Sequence, residues 1–537
     1  MSQFPAVSFE SYYQHDALSG HLQAVAAARP DRVKLHRLYT TAEGREEWLV
    51  ELTDFSNAAP ERKPAYLVHA NVHAVEVSGT TASLVLIEDL LTDPEYVGLL
   101  EEVVFYVIPR VNPDGAEYAL TTGGQIRSKY EYRPRKNGLV GQDLNGDGLV
   151  LTMRWQDPYG TQRPDDEDPR LMISRKAGDT GPFYHVVREG LIEDYDGGSI
   201  QEAVRGFDIN RNWGYNWQPE HLQYGAGDYA FSNPEMKALA DWVYSHPNIF
   251  GMLGFHNGCN SVLRASATVP DEEMDPSDLH TMKEIGEIGE RLTGFGLRAV
   301  RDYRTDRSKP LSLKGHFTDW GYFNLGLFAY EIELGNMYNA AGITTAEYFA
   351  ADAHTREILY GRQIMKYADS IPDAFVDWKP FEHPQLGPVE IGGLRSTCWA
   401  TPPPQALEGI GHRCAHFIVE HAQRCPRLEI HNLAAEHVGG QIYRLTATVA
   451  NVGALATQIS EQGHRIAANG PVTVRLLASE GVEVLSRSNM WEFGALHALT
   501  GHAEVECFVR AQEGAQVKLR AEAPKAGVVE QVARLTG

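Results

Sequence analysis

The sequence predicts an α/β domain built on a mainly parallel sheet, followed by a small all-β sandwich. Over the first two thirds of the chain, apolar runs of strand length alternate with segments of helical pattern, which is typical of α/β domains. Residues 103–108 are β-branched and aromatic without polar alternation, as expected for a strand buried on both faces. Beyond about Leu428, short β runs alternate with turn residues, which favours an immunoglobulin-like sandwich.

Each α/β element follows from a local pattern. Residues 18–29 repeat apolar and alanine positions at helical spacing, and Pro30 ends the predicted helix. Strands are expected at 33–39 and 46–53, on either side of a turn-like stretch. The later segments with strand or helix pattern are 65–69, 77–91, 236–244, 250–255, 282–292 and 327–334.

Changes in composition divide the chain into three predicted regions. Residues 1–375 form the α/β domain, interrupted at about 116–205 by an insertion rich in glycine, proline and charged residues. We expect this insertion to be an irregular surface excursion. Residues 376–427, which include a run of three prolines, are predicted to be an irregular connection. Residues 428–537 form the predicted β-sandwich.

Charge and cysteine content narrow the classes of function. The formal net charge is −23, so the chain lacks the Lys/Arg excess that nucleic acid binding requires. Its five cysteines form no Cys-x-x-Cys pair, which argues against a disulfide framework or a cysteine-bound zinc. Neither a signal peptide nor an apolar run of membrane length, roughly 20 residues, is evident. These features predict a cytoplasmic protein without a membrane span.

The segment 143–148 places oxygen-bearing side chains at Asp143, Asn145 and Asp147, the spacing that opens a calcium-binding loop. The twelfth position, where an EF-hand provides a bidentate glutamate, is Arg154, and this excludes an EF-hand. Two interpretations remain. One is a calcium site completed by residues from elsewhere, and the other is an Asx-rich turn held by side-chain to backbone hydrogen bonds.

His73 and Glu76 stand where a predicted strand gives way to a predicted helix, the place at which open α/β sheets bind ligands. Because they are three positions apart, both side chains can reach one point on a turn or a first helical coil. One imidazole and one carboxylate suit zinc. With 21 histidines, about one His-x-x-Glu is expected by chance, so the pair gains meaning only from its context.

The context is a series of further motifs in a fixed order. They are Asn112-Pro-Asp-Gly115, Asp208-Ile-Asn-Arg-Asn-Trp213, Gly254-Phe-His-Asn257, Asp319-Trp320 and Glu331-Ile-Glu-Leu334. Together with His73 and Glu76, this order resembles the carboxypeptidase A-type zinc metallopeptidases. The resemblance extends over roughly residues 10–370 and is interrupted by the excursion that follows Asn112. It implies a mixed sheet with helices on both faces.

The resemblance implies one catalytic zinc held by His73, Glu76 and His256, with an open coordination position for water. Glu333 matches the family's general base, which takes a proton from the attacking water and returns it to the leaving amine. The Glu-Leu pair favours Glu333 for this role. Glu331, two residues earlier, is expected to point to the other face of the strand.

The same resemblance assigns Asn210 and Arg211 to the binding of a substrate's terminal carboxylate. Arginine suits this role because its planar fork matches the two carboxylate oxygens. The family also uses an arginine that polarises the scissile carbonyl. The preferred candidates for it are Arg133 and Arg135, followed by Arg127 and Arg154.

One element of the family has no counterpart at the aligned place. The mobile tyrosine expected shortly before Asp319 is absent from the segment 309–320, and Tyr303 or His316 could provide a hydrogen-bond donor instead. Thr318 stands where the family reads the terminal side chain. Because it is uncharged, it indicates no strong selection for basic residues.

The predicted function is zinc-dependent hydrolysis of a peptide bond in a peptide or small amide, with release of a C-terminal amino acid. An alternative is a zinc amidase or deacylase of the same fold that acts on acyl-amino acids or cell-wall peptides. A lesser alternative is a non-catalytic protein whose β-sandwich binds a partner or a glycan. The presence of Glu333 together with all three ligands disfavours that last reading. The oligomeric state is not predicted.

Overall fold

The chain folds around a central mixed sheet of eight strands. The computed structural model describes residues 4–129, 135–201, 207–302, 312–372, 374–395 and 401–536. The strands of the central sheet lie in the order Val33–Thr40, Glu46–Leu52, Val104–Ile108, Ala65–Ala70, Ile249–Asn257, Phe328–Leu334, Ser261–Arg264 and Gly296–Ala299. The third to sixth strands in this order are parallel, and antiparallel pairs occur on either side of them. The predicted α/β class with a mixed sheet is confirmed.

Helices cover the middle of the sheet. All residues of the strands Ala65–Ala70, Val104–Ile108 and Ile249–Asn257 are buried, as is typical of parallel strands covered on both faces. The described helices of nine or more residues are His15–Ala28, Ser78–Thr92, Pro113–Thr122, Pro234–Ser245, Pro276–Thr293, Tyr360–Ala368 and Leu407–Ala422. None of the helices in the described ranges combines the length and apolar character needed to cross a bilayer.

The region 376–427, predicted to be an irregular connection, contains regular structure in its described residues. It includes the strand Gly387–Leu394 and the helix Leu407–Ala422, which packs against the helix Ser78–Thr92. Phe417 of this helix is fully buried in the same core as the central sheet. The prediction was wrong because the proline run suggested a linker, while the helix that follows is stabilised by packing against residues far away in the sequence.

The insertion predicted at about 116–205 is not irregular either. The helix Pro113–Thr122 overlaps its start, and short strands follow. They join two later strands in a six-stranded sheet ordered Phe375–His383, Gly387–Leu394, Thr152–Gln156, Tyr184–Arg188, Gln162–Pro164 and Met172–Ser174. Met153 pairs with Ile391 in this sheet. Strands this short show little periodic pattern, so the sequence does not reveal that they are strands or that they pair with strands far away along the chain.

Two four-stranded sheets form the C-terminal part of the chain. Their strand orders are Leu428–Gly439, Ile442–Asn451, His502–Arg510, Glu483–Val484 and Met490–Phe493, Val472–Ala478, Gln516–Ala523, Gly527–Arg534. Alternate residues of His502–Arg510 are buried, and side chains of both sheets share one core. The predicted all-β segment is confirmed, and its immunoglobulin-like topology stays a prediction.

A buried lysine joins the all-β segment to the central sheet. Lys525 is 7% exposed, and its Nζ donates a hydrogen bond of 2.7 Å to the carbonyl oxygen of Ile249. Ile249 begins the strand Ile249–Asn257. Burial lowers the pKa of Lys525 to about 7, because the charged ammonium loses its hydration.

The wild-type protein is therefore expected to gain stability relative to Lys525→Met as the pH rises from 7 to 9. The folded pKa lies below the unfolded value, so over this range the unfolded lysine keeps its proton while the folded lysine loses it. Stability rises with pH wherever the unfolded state binds more protons, and the expected gain is about 2 kcal/mol. Denaturant titrations of both proteins at the two pH values measure it. An identical difference in free energy of unfolding at pH 7 and pH 9 would contradict the prediction.

Candidate metal centre and active site

Three side chains converge near the ends of neighbouring strands of the central sheet. His73 and Glu76 follow the strand Ala65–Ala70, and His256 lies at the end of the strand Ile249–Asn257. Glu76 Oε1 is 2.9 Å from His73 Nδ1, and Glu76 Oε2 is 3.0 Å from His256 Nδ1. The two Nδ1 atoms are 3.2 Å apart. Each residue therefore directs one potential ligand atom to a common centre.

Asn71 shapes the turn that carries His73 and Glu76. Its backbone has a φ of 55°, in the left-handed region that asparagine tolerates, and its Nδ2 donates to the carbonyl of His73 at 2.7 Å. The amide of Glu76 donates to the same carbonyl at 3.0 Å. The helix begins only at Ser78. The three-residue spacing therefore brings the two side chains together on a turn, one of the two arrangements expected from the sequence.

The donor set fits zinc. Catalytic zinc takes three protein ligands from imidazole nitrogens and carboxylate oxygens. Within the described residues, His73, Glu76 and His256 are the one group of three such side chains whose ligand atoms lie within 4.8 Å of one another, and all three are buried. Although burial opposes its ionisation, Glu76 has a pKa well below the ordinary value because His73 and His256 face it. An anionic carboxylate between two imidazoles suits a divalent cation.

Asp208 contacts the outer nitrogen of the first imidazole. Its Oδ1 lies 2.9 Å from Nε2 of His73, the ring nitrogen opposite the Nδ1 that faces the common centre. A carboxylate in this position sets the tautomer and the ring orientation of a metal-binding histidine. Asp208 also accepts a hydrogen bond of 3.0 Å from the amide of Asn210, at the start of the turn Ile209–Arg211. Sequence reasoning did not single out Asp208, although it opens the motif that carries Asn210.

Arg127 lies in this site, although the sequence favoured Arg133 and Arg135 over it as the arginine that polarises the scissile carbonyl. Its Nη1 donates to Glu76 Oε1 at 3.0 Å, and its Nε and Nη2 donate to Asp208 Oδ2 at 3.2 and 3.1 Å. Nη2 also lies 2.7 Å from Nε2 of His73. The carbonyl of Arg127 accepts from the amide of Ala74 at 2.8 Å, which ties the backbone to the turn. Its side chain remains 27% exposed.

The other arginine candidates are placed differently. Arg133 lies outside the described residues, and Arg135 is exposed. Arg154 belongs to the six-stranded sheet, where its Nε donates to Glu390 Oε2 at 2.8 Å and its guanidinium lies over the ring of Trp378. Among the described candidates, the structure therefore brings only Arg127 to the metal centre. Its position in the sequence, after the Asn112 motif, did not distinguish Arg127 from the other candidates. Only in the folded chain does its backbone contact the turn that carries His73 and Glu76.

Glu333 lies on the strand Phe328–Leu334, in register with His256 on the neighbouring parallel strand. Its Oε2 is buried and has no hydrogen-bond partner among the described residues. Gly258 leaves room beside it, because a Cβ at that position would lie only 3.1 Å from this oxygen. Burial and then the negative charge of Glu76 raise the pKa of Glu333 to about 8. Such a carboxyl group is suited to proton exchange with a bound molecule.

The expectation that Glu331 points away from Glu333 is wrong. Side chains alternate along a strand, so residues two positions apart share a face. Glu331 is buried, and its Oε1 accepts a hydrogen bond of 2.9 Å from Asn210 Nδ2 and lies 3.3 Å from His256 Nε2. Both glutamates of the motif therefore lie next to the metal centre.

The four predicted substrate-binding residues differ in accessibility. Arg211 is partly exposed, and its Nη1 donates to the carbonyl of Asn210 at 2.5 Å. Asn210, His316 and Thr318 are buried. His316 Nδ1 and the Thr318 hydroxyl lie 3.1 Å apart, so these two residues engage each other. Tyr303, considered as a replacement for the family's tyrosine, lies outside the described residues. Of the four, Arg211 alone keeps a surface that a substrate could reach.

The segment 143–148 has the hydrogen bonds of an Asx-rich turn. Asp143 accepts from the amides of Gly146 and Gly148 at 2.7 and 2.8 Å. Asn145 Oδ1 accepts from the amide of Asp147 at 3.0 Å. Backbone amides thus engage the oxygens that a calcium ion would require. The calcium prediction is not supported.

Comparison with known families agrees with the chemistry of this centre. The family model described as zinc carboxypeptidase matches residues 18–178 and 187–356, more than half of the chain. The chain therefore belongs to the zinc carboxypeptidase family, and the resemblance seen in the motif order is confirmed. A second model, a domain of unknown function designated DUF8731, matches residues 427–534, the all-β segment.

Individual relatives match over limited stretches. A zinc carboxypeptidase of Saccharothrix mutabilis subsp. capreolus is 30% identical over 146 residues, which cover 26% of this chain and 33% of the relative. Carboxypeptidase B of Astacus astacus is 27% identical over 140 residues, 26% of this chain and 45% of the relative. The chain thus spans less than half the length of either relative. The crystal structure of carboxypeptidase A from Helicoverpa armigera covers 68% of this chain and 74% of its own, with 17% identity and a TM-score of 0.41.

Proposed function

We propose that this protein is a zinc-dependent carboxypeptidase that removes the C-terminal residue of a peptide. The observation that carries the proposal is the convergence of His73, Glu76 and His256 beside Glu333, whose Oε2 has no hydrogen-bond partner among the described residues. His256 and Glu333 stand on adjacent strands, so a rigid element holds each of them. Membership of the zinc carboxypeptidase family supports metal-dependent peptide hydrolysis as the general class of reaction.

The residues present define roles in this reaction. His73, Glu76 and His256 would hold the metal; when bound, zinc supplies a Lewis acid for the scissile carbonyl and for the attacking water. Glu333 accepts the proton of the water at Oε2 and delivers it to the nitrogen of the leaving amine, because that amine leaves readily only once it is protonated. Arg127 is partly exposed beside Glu76, and its guanidinium would donate to the carbonyl oxygen as negative charge develops there.

Arg211 supports the release of a terminal residue rather than internal cleavage. It is the partly exposed member of the predicted carboxylate-binding pair, while Asn210 is buried with its amide engaged. The Asn210 side chain therefore acts in this proposal as a support for the turn Ile209–Arg211. A guanidinium at this position would recognise a free terminal carboxylate through two parallel hydrogen bonds.

Arg211→Met is expected to lower kcat/KM for a peptide with a free C-terminal carboxylate by about 10- to 100-fold, since hydrogen bonds to charged groups contribute about 1.5–3 kcal/mol. The loss should appear mainly in KM. The wild type is expected to cleave the matching C-terminal amide as poorly as the variant cleaves the acid. Rates for both substrates and both proteins, read by mass spectrometry, check this.

The matched control is Arg37→Met, which removes an exposed arginine from the edge strand Val33–Thr40 and should leave both rates unchanged. Equal cleavage of the acid and the amide by the wild type would remove the role proposed for Arg211. If acyl-amino acids were hydrolysed and peptides were not, the alternative of a zinc amidase or deacylase would replace the carboxypeptidase proposal.

A further inference from the structure

Glu331 is a buried carboxylate that the reaction proposed above does not use. It lies on the strand Phe328–Leu334 and is 1% exposed. Asn210 donates to its Oε1 at 2.9 Å, and His316 Nε2 lies 3.5 Å from its Oε2. A carboxylate without access to water requires such partners, because an unpaired buried charge is strongly destabilising.

The position of Glu331 relative to His256 parallels that of Asp208 relative to His73. Each histidine turns Nδ1 toward the common centre and Nε2 toward a carboxylate. The distances differ: His73 Nε2 is 2.9 Å from Asp208, whereas His256 Nε2 is 3.3 Å from Glu331. The second contact is longer and does not have the alignment of a hydrogen bond, and His256 Nε2 has no hydrogen-bond partner among the described residues. Glu331 is thus the acceptor within reach of that nitrogen.

Glu331 also holds the turn that carries the predicted substrate arginine. Through Asn210 Nδ2 it anchors the middle of the turn Ile209–Arg211, and Asn210 Oδ1 in turn accepts from the amide of Phe317 at 2.9 Å. Arg211 directly follows Asn210 and donates to its carbonyl. The Glu331 carboxylate therefore contacts both His256, a predicted metal ligand, and Asn210, which supports the turn that carries Arg211.

We propose that Glu331 is a positioning residue that orients His256 for the metal through Nε2 and couples this orientation to the turn bearing Arg211. The inference rests on the proposed zinc site, but metal binding can test it without any measurement of hydrolysis. Residues that hydrogen-bond to a metal ligand and orient it typically contribute about 10- to 100-fold in metal affinity.

The test measures the zinc affinity of the full chain by competition with a chelator of known strength, using zinc alone as the probe. Glu331→Gln is expected to raise the zinc dissociation constant by about 10- to 100-fold, since glutamine keeps the shape but loses the charge and one acceptor. Cobalt(II) substituted for zinc should show a shifted visible absorption spectrum, because the geometry at His256 changes. Asp208→Asn serves as the positive control and should weaken zinc binding to a similar extent.

Asp319→Asn is the matched control for a change in a buried carboxylate. Asp319 accepts hydrogen bonds from the amide of Ala267 and the hydroxyl of Ser266, and this variant should bind zinc as the wild type does. A wild-type zinc affinity and cobalt spectrum in Glu331→Gln, with weaker binding in Asp208→Asn, would overturn the proposal. If Glu331→Gln does not fold, Glu331→Met, which removes the charge without placing an amide among donors, is measured in its place and decides by the same criterion.

The outcome also separates this inference from the function on which it rests. Failure of the wild type to bind zinc would refute the metal site itself, whereas tight binding that is insensitive to Glu331 would refute only the positioning role. The coupling to Arg211 predicts in addition that Glu331→Gln raises KM for a substrate with a free carboxylate more than it does for the matching amide.

Discussion

Glu333→Gln is expected to lower the hydrolysis rate by about 1,000-fold while zinc binding stays intact. Glutamine keeps the size of the side chain but cannot accept a proton from water and return it to the leaving amine. The zinc site should persist because none of the three predicted ligands is changed.

The measurement combines single-turnover kinetics on a peptide substrate with elemental analysis of protein purified without chelators. Glu331→Gln provides the comparison within the same motif, because it is expected to change metal affinity first. Full activity in Glu333→Gln would exclude this residue as the base. Loss of zinc from Glu333→Gln would instead indicate that Glu333 supports the metal centre rather than the proton transfer.

His73→Ala is expected to remove zinc and, with it, all measurable hydrolysis. The side chain provides one of three converging ligand atoms, and two remaining ligands do not form the site that catalytic zinc requires. A metal that binds only the folded state also stabilises it, by about 4 kcal/mol at a free concentration 1,000 times the dissociation constant. Chelation should therefore lower the Tm of the wild type and leave the Tm of His73→Ala unchanged.

His280→Ala is the control for this prediction. His280 is exposed on the helix Pro276–Thr293, so its removal should alter neither the zinc content nor the response of Tm to chelator. Near-stoichiometric zinc in His73→Ala would contradict the ligand assignment. An unchanged wild-type Tm on chelation would contradict the expected link between metal binding and stability.

Much of the candidate site could be predicted because its residues occupy the ends of strands with strong local patterns. The run 250–255 is apolar throughout, so a histidine directly after it falls at a strand end. His73 and Glu76 follow the short apolar run 65–69 in the same way. Parallel strands place these ends at one edge of the sheet, and there the structure brings the side chains together.

Arg127, in contrast, could not be identified from local sequence patterns. Four arginines were candidates for the residue that polarises the scissile carbonyl: Arg127, Arg133, Arg135 and Arg154. No local sequence pattern distinguishes them. What selects Arg127 is the hydrogen bond that the amide of Ala74 donates to its carbonyl oxygen, a contact between segments distant in sequence. Glu331 is a different case, since the two-residue period of a strand alone already places it on the same face as Glu333.

Apolar periodicity and the ordered motifs were sufficient for the class of the fold and for the types of side chain at the metal centre, because both depend on local patterns and on the chemistry of single residues. The six-stranded sheet and the packing of the helix Leu407–Ala422 required the folded chain. These features arise from contacts between segments far apart in sequence. Their stabilisation comes from burial and pairing, which leave little trace in the composition of either segment alone.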